Sequence, residues 1–245
     1  MKKYSNVIFD LFDTLILFKP ELLPKIVVNG TEHFSTGKDV FDCFKEHFPD
    51  ITFNNFFTFF IDSYKEFQKL KNIDNREYPN RKRFEIMLDL MGIKNGSPEI
   101  LEQLVHSHMD SLSKSMIFPE KHRSTLSELI NRGYKLSILS NFDYSPTAYK
   151  LLDAYDLTTY FVYIFISDDI GWRKPSRNAF GYAIRKLNIT ASDAIFIGDD
   201  YERDIIGANN SDIDSIFINF KNEADNHIPA VASVKEFGQI LDILK

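Results

Sequence analysis

The sequence predicts an α/β fold: a mostly parallel sheet with helices on both faces, carrying an inserted helical module. Three observations predict it. From about residue 119 onward, short apolar segments alternate with amphipathic ones, the pattern of strands joined by crossover helices. A first strand, "YSNVIFD", stands far upstream and is apolar throughout, as a strand covered on both faces is. Between the two regions, residues 17–116 are helix-like and aromatic-rich, with no convincing strand pattern.

Taken in order, the first strand runs into Asp10, and Asp13 follows in "FDLFDTL". These two acids interrupt the apolar run, so neither a secretory core nor a membrane span is expected there. In the insert, Phe56, Phe60, Tyr64 and Phe67 form a helical stripe that reads as packing. His106 and His108 are two residues apart and face different ways on a helix. Both are expected to face solvent, as are Arg81 and Arg83, and Cys43 is expected to be a buried small hydrophobe.

Beyond the insert, "PEKHRSTLSELINRG" is a helix with Pro119 near its start and Gly133 past its end. "YKLSILSN" is a strand, "SPTAYKLLDAYDL" a helix, and "YFVYIFISD" a strand ending at Ser167 and Asp168. "SRNAFGYAIRKLNI" is a helix capped by Ser176. "AIFIGDD" is another strand, "YERDIIGANN" a short helix and "SIFIN" the last strand. The closing "SVKEFGQILDILK" reads as a helix opened by a capping box of Ser233 and Glu236. This division assigns residues 1–16 and 117–245 to the α/β core and 17–116 to the helical insert. Four strands then end in polar residues of catalytic type: Asp10, Ser140, Asp168 and Asp199. Parallel sheets place their ligands at that edge.

With 44% hydrophobic and 26% charged residues, the 245-residue chain has the balance of a soluble globular protein. Its net charge of −6 argues against a nucleic-acid surface, which needs a basic stripe. A single cysteine, Cys43, excludes an intrachain disulfide and a cysteine-built metal site. A cytoplasmic protein without nucleic-acid or membrane partners is expected.

Asp10, Asp199, Asp200 and Asp204 converge on one sheet edge in this reading. Carboxylates so placed repel one another unless a cation sits among them, and an oxygen-only set suits Mg²⁺. A carboxylate beside Mg²⁺ can also act as a nucleophile toward phosphorus. The phosphoryl group then needs donors and positive charge; Ser140, Asn141 and Lys174 offer them.

Four segments in order, "VIFDLFDTL", "LSILSNFD", "SDDIGWRKPSRNAF" and "IFIGDDYERDIIGANNSDIDSIFIN", resemble the motifs of the haloacid dehalogenase-like (HAD) hydrolase superfamily. The position of the insert resembles that of the subgroup with a helical C1-type cap. The resemblance implies a Rossmann-like core and a Mg²⁺-dependent phosphohydrolase acting on a small phosphorylated substrate. It implies Asp10 as nucleophile and Mg²⁺ ligand, with the Phe12 backbone carbonyl and Asp199 as further ligands. Asp200 and Asp204 would support the metal directly or through water. It further implies that Ser140 and the Asn141 backbone hold the phosphoryl group, that Lys174 neutralises it, and that Thr14 orients the first loop.

One position departs from the family pattern. Phosphatases of the family carry a second Asp two residues after the nucleophile as general acid and base; here that residue is Phe12. Such a group contributes about 10²–10⁴-fold in rate, so its replacement favours leaving groups that need no proton. Two alternatives stay open: a 2-haloacid dehalogenase or phosphonatase-like hydrolase, and a weakly active ligand-binding protein of the same fold. The acidic "GDDYERD" speaks against the metal-free dehalogenase.

Overall fold

The computed structural model describes residues 4–94, 96–220 and 229–245. The chain divides into two compact units, Met1–Leu17 with Phe118–Lys245, and Phe18–Ile117. In chain order the strands are β1 (Asn6–Phe9), β2 (Leu17–Phe18), β3 (Lys25–Val28), β4 (Thr31–Phe34), β5 (Met116–Ile117), β6 (Lys135–Ser140), β7 (Phe161–Ile166), β8 (Ala194–Gly198), β9 (Asp214–Ile218) and β10 (Ala232–Val234). The α-helices are α1 (Gly37–His47), α2 (Phe53–Lys71), α3 (Arg81–Leu90), α4 (Pro98–Ser113), α5 (Lys121–Asn131), α6 (Ser145–Ala154), α7 (Ser167–Ile170), α8 (Arg177–Leu187), α9 (Gly207–Asn209) and α10 (Ile240–Ile243). None of the described helices is long and apolar enough to cross a membrane.

The first unit is the α/β core. Its six strands lie in the order β10-β9-β8-β1-β6-β7 and pair in parallel throughout. All four residues of β1 are buried, as expected of a central strand covered on both faces. Phe9 pairs with Ile138 of β6 on one side and Ile197 of β8 on the other. The next residue, Asp10, therefore leaves the sheet between the ends of β6 and β8, in the crevice where the connections diverge. Ile8, Leu139, Phe180 and Phe196 belong to the packed layer on one face, with Phe180 and Phe196 edge-to-face at 5.2 Å.

Three elements of the core differ from the sequence reading. β7 stops at Ile166, and Ser167 and Asp168 begin α7 instead. The Ser167 hydroxyl accepts from Phe142 N at 2.8 Å, and Asp168 accepts from Ser145 N at 2.9 Å at the start of α6. Asp168 is thus a structural acid rather than a strand-end catalytic one. The segment expected as one short helix after β8 opens as a π-helical turn over Tyr201–Ile206. At the other edge, β9 is not the last strand: Ser233 pairs with Phe217 in the ladder of β10 on β9. The capping box shifts accordingly to Glu236 and Gln239, on the 3₁₀ turn Phe237–Gln239.

The second unit is mainly helical. Phe44, Phe56, Phe60, Phe67 and Phe84 fill its interior, with Phe44 and Phe56 at 5.1 Å and Phe56 and Phe60 at 5.7 Å. The stripe on α2 is core as expected, except that Tyr64 is 49% exposed. A hairpin of β3 and β4, absent from the sequence reading, turns through Asn29 (φ 49°) and Gly30 (φ 79°). Two left-handed residues in a two-residue loop match the twist of the strands they join.

His106 is exposed as expected, but His108 and Arg83 are buried. His108 Nδ1 meets the Thr36 hydroxyl at 2.7 Å and its Nε2 meets the Arg83 guanidinium at 3.2 Å. Arg83 also donates to the Phe60 carbonyl at 3.2 Å and lies 4.1 Å from that ring's centroid. Burial first, and then the Arg83 charge, hold the His108 pKa well below the ordinary histidine value. Cys43 is half-buried rather than buried, and burial raises its thiol pKa.

Candidate active site

The loop after β1 is fixed largely by its own backbone. Asp10 N donates to Ile197 O at 2.8 Å, Leu15 N and Ile16 N both donate to Leu11 O at 2.9 Å, and Asp13 N donates to Ile16 O at 2.8 Å. Asp13 adopts φ 64°, a conformation that a short polar side chain tolerates. The carbonyl of Leu15 accepts from His122 Nδ1 at 3.1 Å, and the His122 ring lies 4.3 Å from that of Phe237. Thr14 is fully buried and donates to Asp199 Oδ1 at 3.1 Å.

Lys174 joins two acids. Its Nζ lies 2.6 Å from Asp10 Oδ1 and 2.6 Å from Asp204 Oδ1, with the residue only 2% exposed. Burial alone would lower the lysine pKa, but the charges of Asp10 and Asp204 outweigh it and raise the value. The lysine's backbone is held as firmly: Asn141 Nδ2 donates to Lys174 O at 2.9 Å and Lys174 N donates to Asn141 Oδ1 at 2.8 Å. Asn141 thereby ties the end of β6 to the loop that presents the ammonium.

Asp10, Asp199 and Asp204 each offer a carboxylate oxygen, all within 4.8 Å of one another. Burial, followed by the charges of Asp10 and Asp204, pushes the Asp199 pKa up to about 8. Burial raises Asp204 as well, and Lys174 offsets part of that rise. Asp204 is further held by Asp200 N, which donates to its Oδ2 at 3.1 Å. Gly198 makes this possible, since a Cβ there would run into the Asp204 side chain. Three carboxylates against one ammonium leave excess negative charge in a partly desolvated pocket, and the donors are all oxygen. Such a set fits a hard dication such as Mg²⁺.

Ser140 ends β6 beside β1, 1% exposed, and its hydroxyl has no hydrogen-bond partner among the described residues. A buried hydroxyl is normally paired, so this one suits a ligand oxygen. Asp200 is not brought to the cluster. Its Oδ1 accepts from Arg203 N at 2.8 Å and its Oδ2 pairs with the Arg203 guanidinium at 3.1 Å, capping the turn that follows. The Phe12 backbone pairs with Ile16 in an isolated bridge within the Asp10 loop. Its ring is 4.5 Å from that of Phe142, at an interplanar angle of 39°.

Asp10, Thr14, Lys174, Asp199 and Asp204 are therefore gathered in direct contact or close range, with Ser140 and Asn141 on the neighbouring strand end. The sequence reading missed Phe142 and His122. Phe142 had a visible signal, since it stands two residues after Ser140 as Phe12 stands two after Asp10. His122 had none, because its partner Leu15 is distant in sequence.

The family model for haloacid dehalogenase-like hydrolases matches residues 7–218. Among curated relatives, a glyceraldehyde 3-phosphate phosphatase of Methanothermobacter thermautotrophicus is 27% identical over 127 residues, covering 49% of this chain and 56% of that protein. The chain thus spans about half the length of that relative. Two solved structures match along essentially all of both chains, each at 19% identity. One is a 2-haloacid dehalogenase from Pseudomonas syringae (TM-score 0.69, covering 98% of each chain). The other is the putative HAD-hydrolase YfnB from Bacillus subtilis bound to magnesium (TM-score 0.62, covering 100% of each). At that identity they establish the α/β fold, and the family match goes further: this chain belongs to the haloacid dehalogenase-like hydrolases.

Proposed function

We propose that this hydrolase is a Mg²⁺-dependent phosphohydrolase of small phosphorylated molecules, working through an aspartyl-phosphate on Asp10. The observation that carries the reading is the buried ammonium of Lys174, 2.6 Å from both Asp10 and Asp204, next to Asp199. Asp10, the Phe12 backbone carbonyl, Asp199 and Asp204 would hold the cation, with Asp200 shaping the turn behind them. When bound, the cation neutralises the carboxylates and the phosphoryl oxygens together.

The chain's own groups then have distinct roles. An Asp10 carboxylate oxygen attacks phosphorus, Lys174 balances the charge on both, and the unpartnered Ser140 hydroxyl donates to a phosphoryl oxygen with the Asn141 backbone beside it. Thr14 keeps Asp199 in place through its hydroxyl. Phe12 can neither give nor take a proton. The helical unit, inserted directly after the nucleophile loop, takes the role of a specificity-setting cap.

The test is phosphate release from acetyl phosphate and from phosphomonoesters, with Mg²⁺ and with EDTA, by the wild type and Asp10→Asn. Release that needs both Mg²⁺ and Asp10 is expected. Halide release from a 2-haloacid in EDTA, without phosphate release under any condition, would overturn the proposal in favour of a dehalogenase.

A further inference from the structure

The site has an apolar side as well as a charged one. Phe12 and Phe142 follow Asp10 and Ser140 by two residues each, and their rings pack against one another at 4.5 Å. Both are only half-buried, and each follows closely on a residue of the site, Phe12 on Asp10 and Phe142 on Ser140. Both backbones are pinned. Phe12 pairs with Ile16, while Phe142 receives the Ser167 hydroxyl on its carbonyl at 3.2 Å and donates its N–H to the same oxygen at 2.8 Å. Asp168 N also donates to Phe142 O at 3.2 Å. A rigid aromatic surface binds a planar apolar group at little ordering cost.

We infer that the Phe12–Phe142 pair receives the leaving group, and that the substrates are aryl phosphates. The inference rests on the phosphohydrolase reading above and adds the class of the alcohol. In the first step the Asp10 oxygen forms a bond to phosphorus while the bond from phosphorus to the aryl oxygen breaks. The electron pair leaves on that oxygen as a phenolate, which takes its proton from water. Water then splits the aspartyl-phosphate, releasing inorganic phosphate, which retains the second proton. A phenol of pKa about 10 leaves as an anion far more readily than an aliphatic alcohol, which is a much weaker acid, close to water. No proton donor is needed where Phe12 stands. The Phe12 ring that stands in place of a proton donor joins Phe142 in supplying the contact that an aryl group prefers.

Two measurements test this on the full chain with Mg²⁺. The first compares kcat/KM for phenyl phosphate, ethyl phosphate and acetyl phosphate in the wild type, Phe142→Ala and Phe142→Leu. The second is calorimetric binding of phenylphosphonate and methylphosphonate, which are not turned over. The wild type is expected to favour phenyl over ethyl phosphate by at least about 100-fold and to bind phenylphosphonate about tenfold more tightly than methylphosphonate, the size of one good aromatic contact. In either Phe142 variant both preferences shrink by about tenfold. Turnover of acetyl and ethyl phosphate without any phenyl preference, and equal binding of the two phosphonates, would overturn the aryl assignment and leave the phosphohydrolase standing. Failure of all three phosphates and both phosphonates would remove the two together. If one variant does not fold, the other and the wild-type phosphonate comparison still decide.

Discussion

Lys174→Met keeps the length and apolar stem of the side chain and removes only the ammonium. In the wild type that group lies 2.6 Å from two carboxylate oxygens. At an effective dielectric of about 20 and a charge separation of ~3.5 Å, each contact corresponds to roughly 4–5 kcal/mol of attraction. The cost of burying the ammonium cancels much of this, and unpairing a buried ion pair typically costs about 3–5 kcal/mol. The loss must depend on pH, because Asp204 and Asp199 have folded values above the ordinary carboxylate range. A carboxyl whose folded pKa is raised is easy to bury protonated and costly to bury ionised. Its penalty therefore grows as pH rises from ~4 towards the value of about 8 at Asp199. Removing Lys174 raises Asp204 further, so the variant should lose about 3–5 kcal/mol at pH 8 and less than ~1 kcal/mol at pH 5. Urea unfolding followed by circular dichroism at the two pH values measures both numbers. An equal loss at pH 8 and pH 5 would refute the reasoning that Lys174 offsets part of the burial cost of the Asp204 carboxylate.

The other expectations are briefer. Mg²⁺ should stabilise the protein more at pH 8 than at pH 5, by about 2.7 kcal/mol at a concentration 100 times its Kd, and Asp199→Asn should remove most of this in a thermal-shift titration. Gly198→Ala places a methyl against Asp204 and should cost about 1–3 kcal/mol by urea unfolding, with a fall in kcat larger than any change in KM. Phe12→Asp restores a proton donor and should raise turnover of alkyl phosphates by about 10²–10⁴-fold, measured as phosphate release from ethyl phosphate. His108 has a depressed folded pKa, so its stability contribution is complete above the unfolded value near ~6.5 and is lost as pH falls below it. For one imidazole the loss by pH 5 is at most ~2 kcal/mol, and His108→Gln should remove that slope in urea midpoints, leaving only the part due to His122, which burial also lowers.

The core strands were readable in the sequence because a parallel sheet buried on both faces demands largely apolar runs, and "VIF", "LSIL" and "AIFIG" are such runs. The ligand-bearing ends followed from the acids and serine that stop them. β10 was hidden because its three residues, Ala232–Val234, are too few to show a period, and Ser233 with Glu236 mimicked a helix start. The hairpin at Asn29-Gly30 was legible through its turn residues but was masked by the surrounding aromatic helices. His108 and Arg83 could not be placed from spacing alone: polar residues on a helix are expected outward until a partner such as the Thr36 hydroxyl is known. Within the site, residue types revealed Asp10, Lys174 and Asp199, whereas the turning away of Asp200 depended on Arg203 competing for its carboxylate.

The packing of His122 on Phe237 lets the turn Phe237–Gln239 support the loop that carries Asp10. Phe237 lies 4.3 Å from the His122 ring and 5.8 Å from that of Phe9, and Arg132 holds the carbonyls of Leu241 and Leu244 at 2.6 and 2.7 Å. His122 in turn anchors the Leu15 carbonyl, five residues beyond Asp10, the proposed nucleophile. Trimming the chain after Glu236 would therefore withdraw the support beneath the Asp10 loop without removing any of the residues proposed to act in catalysis. An engineer adding a fusion partner or a tag has reason to treat residues 237–244 as foundations of the candidate site rather than as a dispensable tail.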